Sequence, residues 1–141
     1  MNIEFVSASN FFVYLVSHKF NKKEQERFRE CLTRVIRQRF RDHWFPEKPY
    51  AACGFRCLHI REDYFAPIIA QACACAQISL DSVKKALPSN MMIWIDPYEV
   101  TYRIGDSGVI LCLYEYKEDQ VNVSWKAPPT LPVSKWYCCW K

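Results

Sequence analysis

The 141-residue chain is one domain's worth of polypeptide, enough to bury roughly two-thirds of the surface that its unfolded form exposes. Hydrophobic residues at 50%, aromatics at 16% and only 3 glycines exclude a disordered or fibrous chain. The net charge of +4 is mild and falls mainly within residues 19–41, so any basic surface is local to one segment.

Residues 1–16, MNIEFVSASNFFVYLV, have neither the basic start nor the small-residue cleavage site of a signal peptide, and their longest apolar run is too short to cross a bilayer. A cytoplasmic and nuclear location is expected, where the 8 cysteines should be reduced rather than paired. Ile3, Val6, Phe11 or Phe12, Leu15 and Val16 recur near the helical period and predict a first helix over residues 3–18. Asn21 followed by Glu24 has capping-box spacing, so a second helix starts there. Its stripe of Phe28, Cys31, Leu32, Val35, Ile36, Arg39 or Phe40, and His43 or Trp44 is the clearest period in the chain. That stripe should pack on the first helix and leave the arginines outside.

Pro46 and Pro49 in HWFPEKPY bar helix, and Gly54 frees the backbone for a short strand over residues 55–60, FRCLHI. Alternation puts Phe55, Cys57 and His59 on one face of it and Arg56, Leu58 and Ile60 on the other. The alanine-rich residues 66–77, with Pro67 in the first turn, predict a third helix, and Ser79 caps a fourth that ends before Pro88. Residues 91–105, MMIWIDPYEVTYRIG, read as two strands broken at Pro97, the second burying Tyr98, Val100, Tyr102 and Ile104 and exposing Glu99, Thr101 and Arg103. Turn residues at 105–108 and a strand over 109–116, apolar on both faces and so expected to be covered, complete a hairpin.

The resulting class is α+β, with N-terminal helices packed on a small, mostly antiparallel β-sheet across residues 1–116. Residues 117–141, which strand Trp125, Trp136 and Trp140 among polar and proline positions, form a C-terminal tail expected to be partly disordered or a docking segment.

Alternation along residues 91–96 puts Met91, Ile93 and Ile95 on one face and Met92, Trp94 and Asp96 on the other. An indole beside a carboxylate, which must stay solvated or paired, suggests a contact surface. Cys53, Cys57, His43 and His59 supply metal-ligand types without a paired ligand spacing, so neither metal nor cofactor is expected. Cys57 and His59 share a strand face but lack an orienting third group, so no enzyme is expected either. Lys22, Lys23, Arg27, Arg29, Arg34, Arg37 and Arg39 make the second helix basic. A small nucleic-acid-binding module is therefore the alternative reading, although this helix lacks interleaved exposed aromatics for base stacking.

HWFPEKPYAACGFRCLHI, residues 43–60, and LPSNMMIWIDPYEVTYRIGDSG, residues 87–108, resemble box A and box B of the BTG/Tob antiproliferative family. The opening helix and the FRCLHI ending lean towards the Tob branch. The resemblance implies a monomeric, non-catalytic adaptor that binds the Caf-type deadenylase subunit of the Ccr-Not complex, promotes mRNA deadenylation and restrains proliferation. RNA-binding or transcription regulators are further partners, with no membrane and no strong direct nucleic-acid binding. The implied partner-binding residues are Trp94, Asp96 and Phe55, together with Glu99, Tyr98, Pro46 and Glu47. Trp94→Ala is then expected to abolish deadenylase capture without changing the melting temperature. Ala51, Ala52 and Cys53 depart from the lysine, glycine and small residue usual in the family before Gly54, which should make the box A loop stiffer and less basic.

Overall fold

The computed structural model describes residues 2–106, 108–117 and 120–123. Helix α1, Ile3–Val16, runs through one 3-10 turn, Ser17–Lys19, into helix α2, Lys22–Phe40. The capping box forms as its spacing predicts: the Asn21 side chain accepts from the Glu24 N–H and Glu24 Oε2 accepts from the Asn21 N–H, both at 2.9 Å. Gln25 Nε2 donates to the carbonyls of Ser17 at 3.1 Å and Phe20 at 2.8 Å, which fixes the corner between the helices.

Helix α1 lies between α2 and the sheet, so its buried residues, Phe5, Ala8, Phe11, Phe12, Val13 and Val16, surround much of its circumference. That explains its broken period. A buried hydroxyl pair between the helices is satisfied by Thr33 Oγ1 donating to Ser9 Oγ at 2.9 Å. The stripe of α2 buries Phe28, Cys31, Leu32, Ile36 and Phe40 against both α1 and helix α3, Pro67–Ala76. Proline occupies the first turn of α3, Gln77 ends it in the left-handed region at φ 56°, and Arg27 Nε donates to the Ala76 carbonyl at 3.2 Å. Helix α4, Leu80–Ala86, is capped by Ser79, whose side chain accepts from the Ser82 N–H at 3.2 Å.

Strands β1 (Cys57–Ile60), β2 (Met91–Asp96), β3 (Glu99–Ile104), β4 (Leu111–Lys117) and β5 (Gln120–Val123) form one sheet in the order β1-β2-β3-β4-β5. Every pairing is antiparallel, with Leu58 opposite Ile93 and Ile93 opposite Tyr102. The architecture is thus helices on an antiparallel meander, the expected α+β class. Strand β5 extends the sheet into the segment read as a tail, while the expectations for residues 124–141, including Trp125, Trp136 and Trp140, fall outside the described residues.

Leu58, Ile60, Met91, Ile93, Ile95, Val100 and Tyr114 join the helices in one apolar cluster, with Tyr102 packed at its margin. The other face of the sheet differs from expectation. Glu99, Thr101 and Arg103 are buried, while Tyr98 and Ile104 are exposed. Tyr98 sits in the two-residue turn between β2 and β3, outside the strand alternation, and Ile104 is the last residue of β3, beside the Gly105 turn.

Candidate functional site

Arg56 immediately precedes β1 in phase with Leu58 and Ile60, a position where alternation buries it. A guanidinium there must have its charge neutralised and its N–H groups satisfied. Arg56 is 0% exposed and meets both demands. Nε donates to the Ile95 carbonyl at 3.0 Å, and Nη1 to the carbonyls of His43 and Ala51, each at 2.6 Å. Nη2 donates to the Pro49 carbonyl at 2.7 Å and to Asp96 Oδ1 at 2.8 Å. The Trp44 ring centroid lies 5.7 Å from the guanidinium carbon. One side chain therefore ties the loop after α2 to the end of β2.

Two exposed aromatics flank this ion pair. Phe55, next to Arg56, is 37% exposed and stacks on the His43 ring at 3.8 Å between centroids and 15° between planes, with the Arg39 guanidinium 5.0 Å from its centroid. Tyr98, which follows Asp96 and Pro97, is 43% exposed and takes a positive φ of 72°. Proline followed by positive φ is the type II arrangement, which normally places glycine or asparagine second. Tyrosine is held there because its N–H donates to Glu4 Oε1 at 2.9 Å and its carbonyl accepts from the Tyr116 N–H at 2.8 Å. Non-glycine residues in such conformations cost about 1–3 kcal/mol and concentrate at functional positions.

The residues expected to meet a partner divide by burial. Phe55, Tyr98, Pro46 and Glu47 are exposed. Trp94 at 6%, Asp96 at 3% and Glu99 at 9% are buried, which corrects their expected exposure. For Asp96 the physical reason is plain: the donor that its carboxylate needs is Arg56 of the same chain. Trp94 lies on β2 between Cys57 of β1 and Thr101 of β3, which closes the sheet around its backbone on both sides. Arg56, Glu4, His43 and Arg39 were not among the residues expected at this surface; Arg56 was in phase with two apolar residues, and Arg39 and His43 read only as positions on the stripe of α2.

Among the described residues, no group of three or more His, Cys, Asp and Glu side chains could hold a metal ion, and no helix is long and apolar enough to cross a membrane. Cys57 and His59 line an open cleft of about 870 Å³ with Arg61, Asp63, Asn90 and Arg103. Burial, and then the neighbouring Arg61, hold the His59 pKa below its ordinary value.

Fold and site together define a small α+β domain that presents aromatics on segments clamped by a buried ion pair. The family model for the BTG family matches residues 1–114, and this chain belongs to that family. It is 39% identical to rat (Rattus norvegicus) Protein Tob1 over 114 residues, which is 81% of this chain and 31% of that protein. It is also 39% identical to chicken (Gallus gallus) Protein BTG1 over 95 residues, 67% of this chain and 55% of that protein. The chain thus spans about a third of the length of the Tob1 protein that it matches. A doubly substituted form of the C. elegans FOG-3 BTG/Tob domain, a solved structure, superposes with a TM-score of 0.73 at 19% identity over 88% of this chain and 90% of that one, a likeness of fold.

The box A loop holds one alanine in the region that favours glycine: Ala52 adopts φ 59°. A Cβ in that region costs on the order of 1 kcal/mol, partly offset by the lower entropy of the unfolded alanine chain. Ala52→Gly is therefore expected to raise the melting temperature by a few degrees, and a fall on thermal unfolding would contradict the strain.

Proposed function

We propose that this chain is a non-catalytic adaptor that binds the Caf-type deadenylase subunit of the Ccr-Not complex and promotes mRNA deadenylation, with antiproliferative effect. Family membership supports the class of function, and the buried Arg56–Asp96 pair carries the reading of this surface. By bonding the two boxes together it sets the spacing of Phe55 and Tyr98, which bracket it in sequence. Rigid, exposed aromatics serve as interface anchors because little ordering entropy remains to be lost on binding. Pro46 and Glu47 form the rim, while Trp94, Asp96 and Glu99 support the surface from beneath. The adaptor works as a monomer in cytoplasm and nucleus, with RNA-binding or transcription regulators selecting its targets.

The test is capture of a purified Caf-type deadenylase subunit by the intact chain and by its Phe55→Ala and Tyr98→Ala variants. Each substitution is expected to weaken binding by at least about tenfold, with melting temperatures within about 2 °C of the parent. Failure of the parent chain to bind, or undiminished binding by both variants, would reject the assignment. The nucleic-acid alternative has less support, because Arg27, Arg29, Arg34 and Arg39 of α2 each engage a group of this chain. RNA binding that falls steeply with salt would revive it.

A further inference from the structure

Away from that surface, the packing of α2 on α3 brings two thiols together. Cys31 lies on the buried stripe of α2 and Cys75 on the exposed side of α3, and the two side chains are within hydrogen-bonding reach of each other. Arg34, one turn after Cys31, directs the same Nη2 at both sulfurs, 2.7 Å from Cys75 Sγ and 3.5 Å from Cys31 Sγ. We propose that Cys31 and Cys75 form a peroxide-sensitive dithiol whose oxidation closes a disulfide between α2 and α3.

The three side chains have distinct places in this chemistry. Cys75 is open to solvent and meets the oxidant, and Arg34 supplies the positive charge that a thiolate nucleophile requires beside it. Cys31 is shielded and serves as the resolving thiol. The Cys75 thiolate attacks the O–O bond of hydrogen peroxide, giving Cys75–SOH and releasing hydroxide, which recovers the proton that Cys75 gave up. Cys31 then attacks the oxidised sulfur. Its S–H bond and the Cys75 S–OH bond break, the S–S bond forms, and the hydroxyl leaves with the Cys31 proton as water. The dithiol loses an electron pair and the peroxide becomes water.

The neighbouring thiols do not duplicate this arrangement. Cys73, also on α3, is turned into the core, where burial pushes its thiol up to about 11. Cys53 and Cys112 are buried as well.

The experiment treats the reduced, intact chain with hydrogen peroxide and maps disulfides by mass spectrometry without reduction. A Cys31–Cys75 linked peptide is expected as the main intramolecular product, absent from Cys75→Ser, whose exposed site leaves folding untouched. In the untreated chain, the exposed Cys75 should be alkylated by iodoacetamide faster than any other described cysteine, and Arg34→Met, which removes the contact to its sulfur, should slow it. That second readout needs no Cys31 variant to fold. Oxidation that distributes over other cysteines, that stops at Cys75 without closing to Cys31, or that is indifferent to Arg34→Met would overturn the proposal.

Discussion

Asp96→Ala is expected to destabilise the domain by about 3–5 kcal/mol, because it leaves the fully buried Arg56 charge without its counter-ion. Solvent reaches neither side chain appreciably, so screening offers little relief: the side chains are 0% and 4% exposed. Arg56→Met should cost more than Asp96→Ala, since it also strips the carbonyls of His43, Pro49, Ala51 and Ile95 of a donor. Removing both partners should therefore not restore the parent's stability, although an isolated buried pair can often be replaced by apolar residues without loss. Urea unfolding of the two single variants and the double variant measures the coupling directly. An Asp96→Ala midpoint equal to the parent's would show that the pair does not hold the boxes together. The same result bears on function: lost deadenylase capture by Asp96→Ala reports a collapsed support before it reports a lost contact.

Local rules made much of the helical layer legible. The Asn21 and Glu24 spacing, the Phe28, Leu32, Ile36 and Phe40 stripe, Pro67 at a helix start and Ser79 as a cap each depend on residues within a turn or two, and each appears in the structure. The faces of the sheet were less legible for a physical reason. Alternation assigns a residue to a face but does not say whether that face is covered, so Thr101 and Arg103 read as exposed although they are buried. Tyr98 read as a strand residue because the position after Pro97 carries neither the glycine nor the asparagine that would announce a positive φ; the bond from its N–H to Glu4 comes from the far end of the chain. Arg56 was in phase with the core, yet its acceptors lie on a loop and a strand that no local pattern connects. Box motifs named the candidate positions, and long-range hydrogen bonds determined which of them reach the surface.

Trp94→Ala provides the sharpest test of that division. A freely exposed interface tryptophan could be truncated with the melting temperature unchanged, whereas at 6% exposure the truncation is expected to cost about 3–5 kcal/mol. For a domain of this size that lowers the melting temperature by roughly 10–20 °C. Thermal unfolding decides between these outcomes, and an unshifted transition would return Trp94 to the surface. Binding must then be separated from folding, which Trp94→Phe allows because phenylalanine retains most of the apolar contact on β2 and removes the indole N–H. With both proteins well below their melting temperatures, unchanged deadenylase affinity for Trp94→Phe means that Trp94 acts by holding β2 in place beneath Phe55 and Tyr98. A loss of tenfold or more, without a change in circular dichroism, means that the indole itself meets the partner and that binding uncovers it. The second outcome would require the partner's affinity to include the cost of exposing this part of the sheet, so the on-rate should fall short of that of a preformed surface.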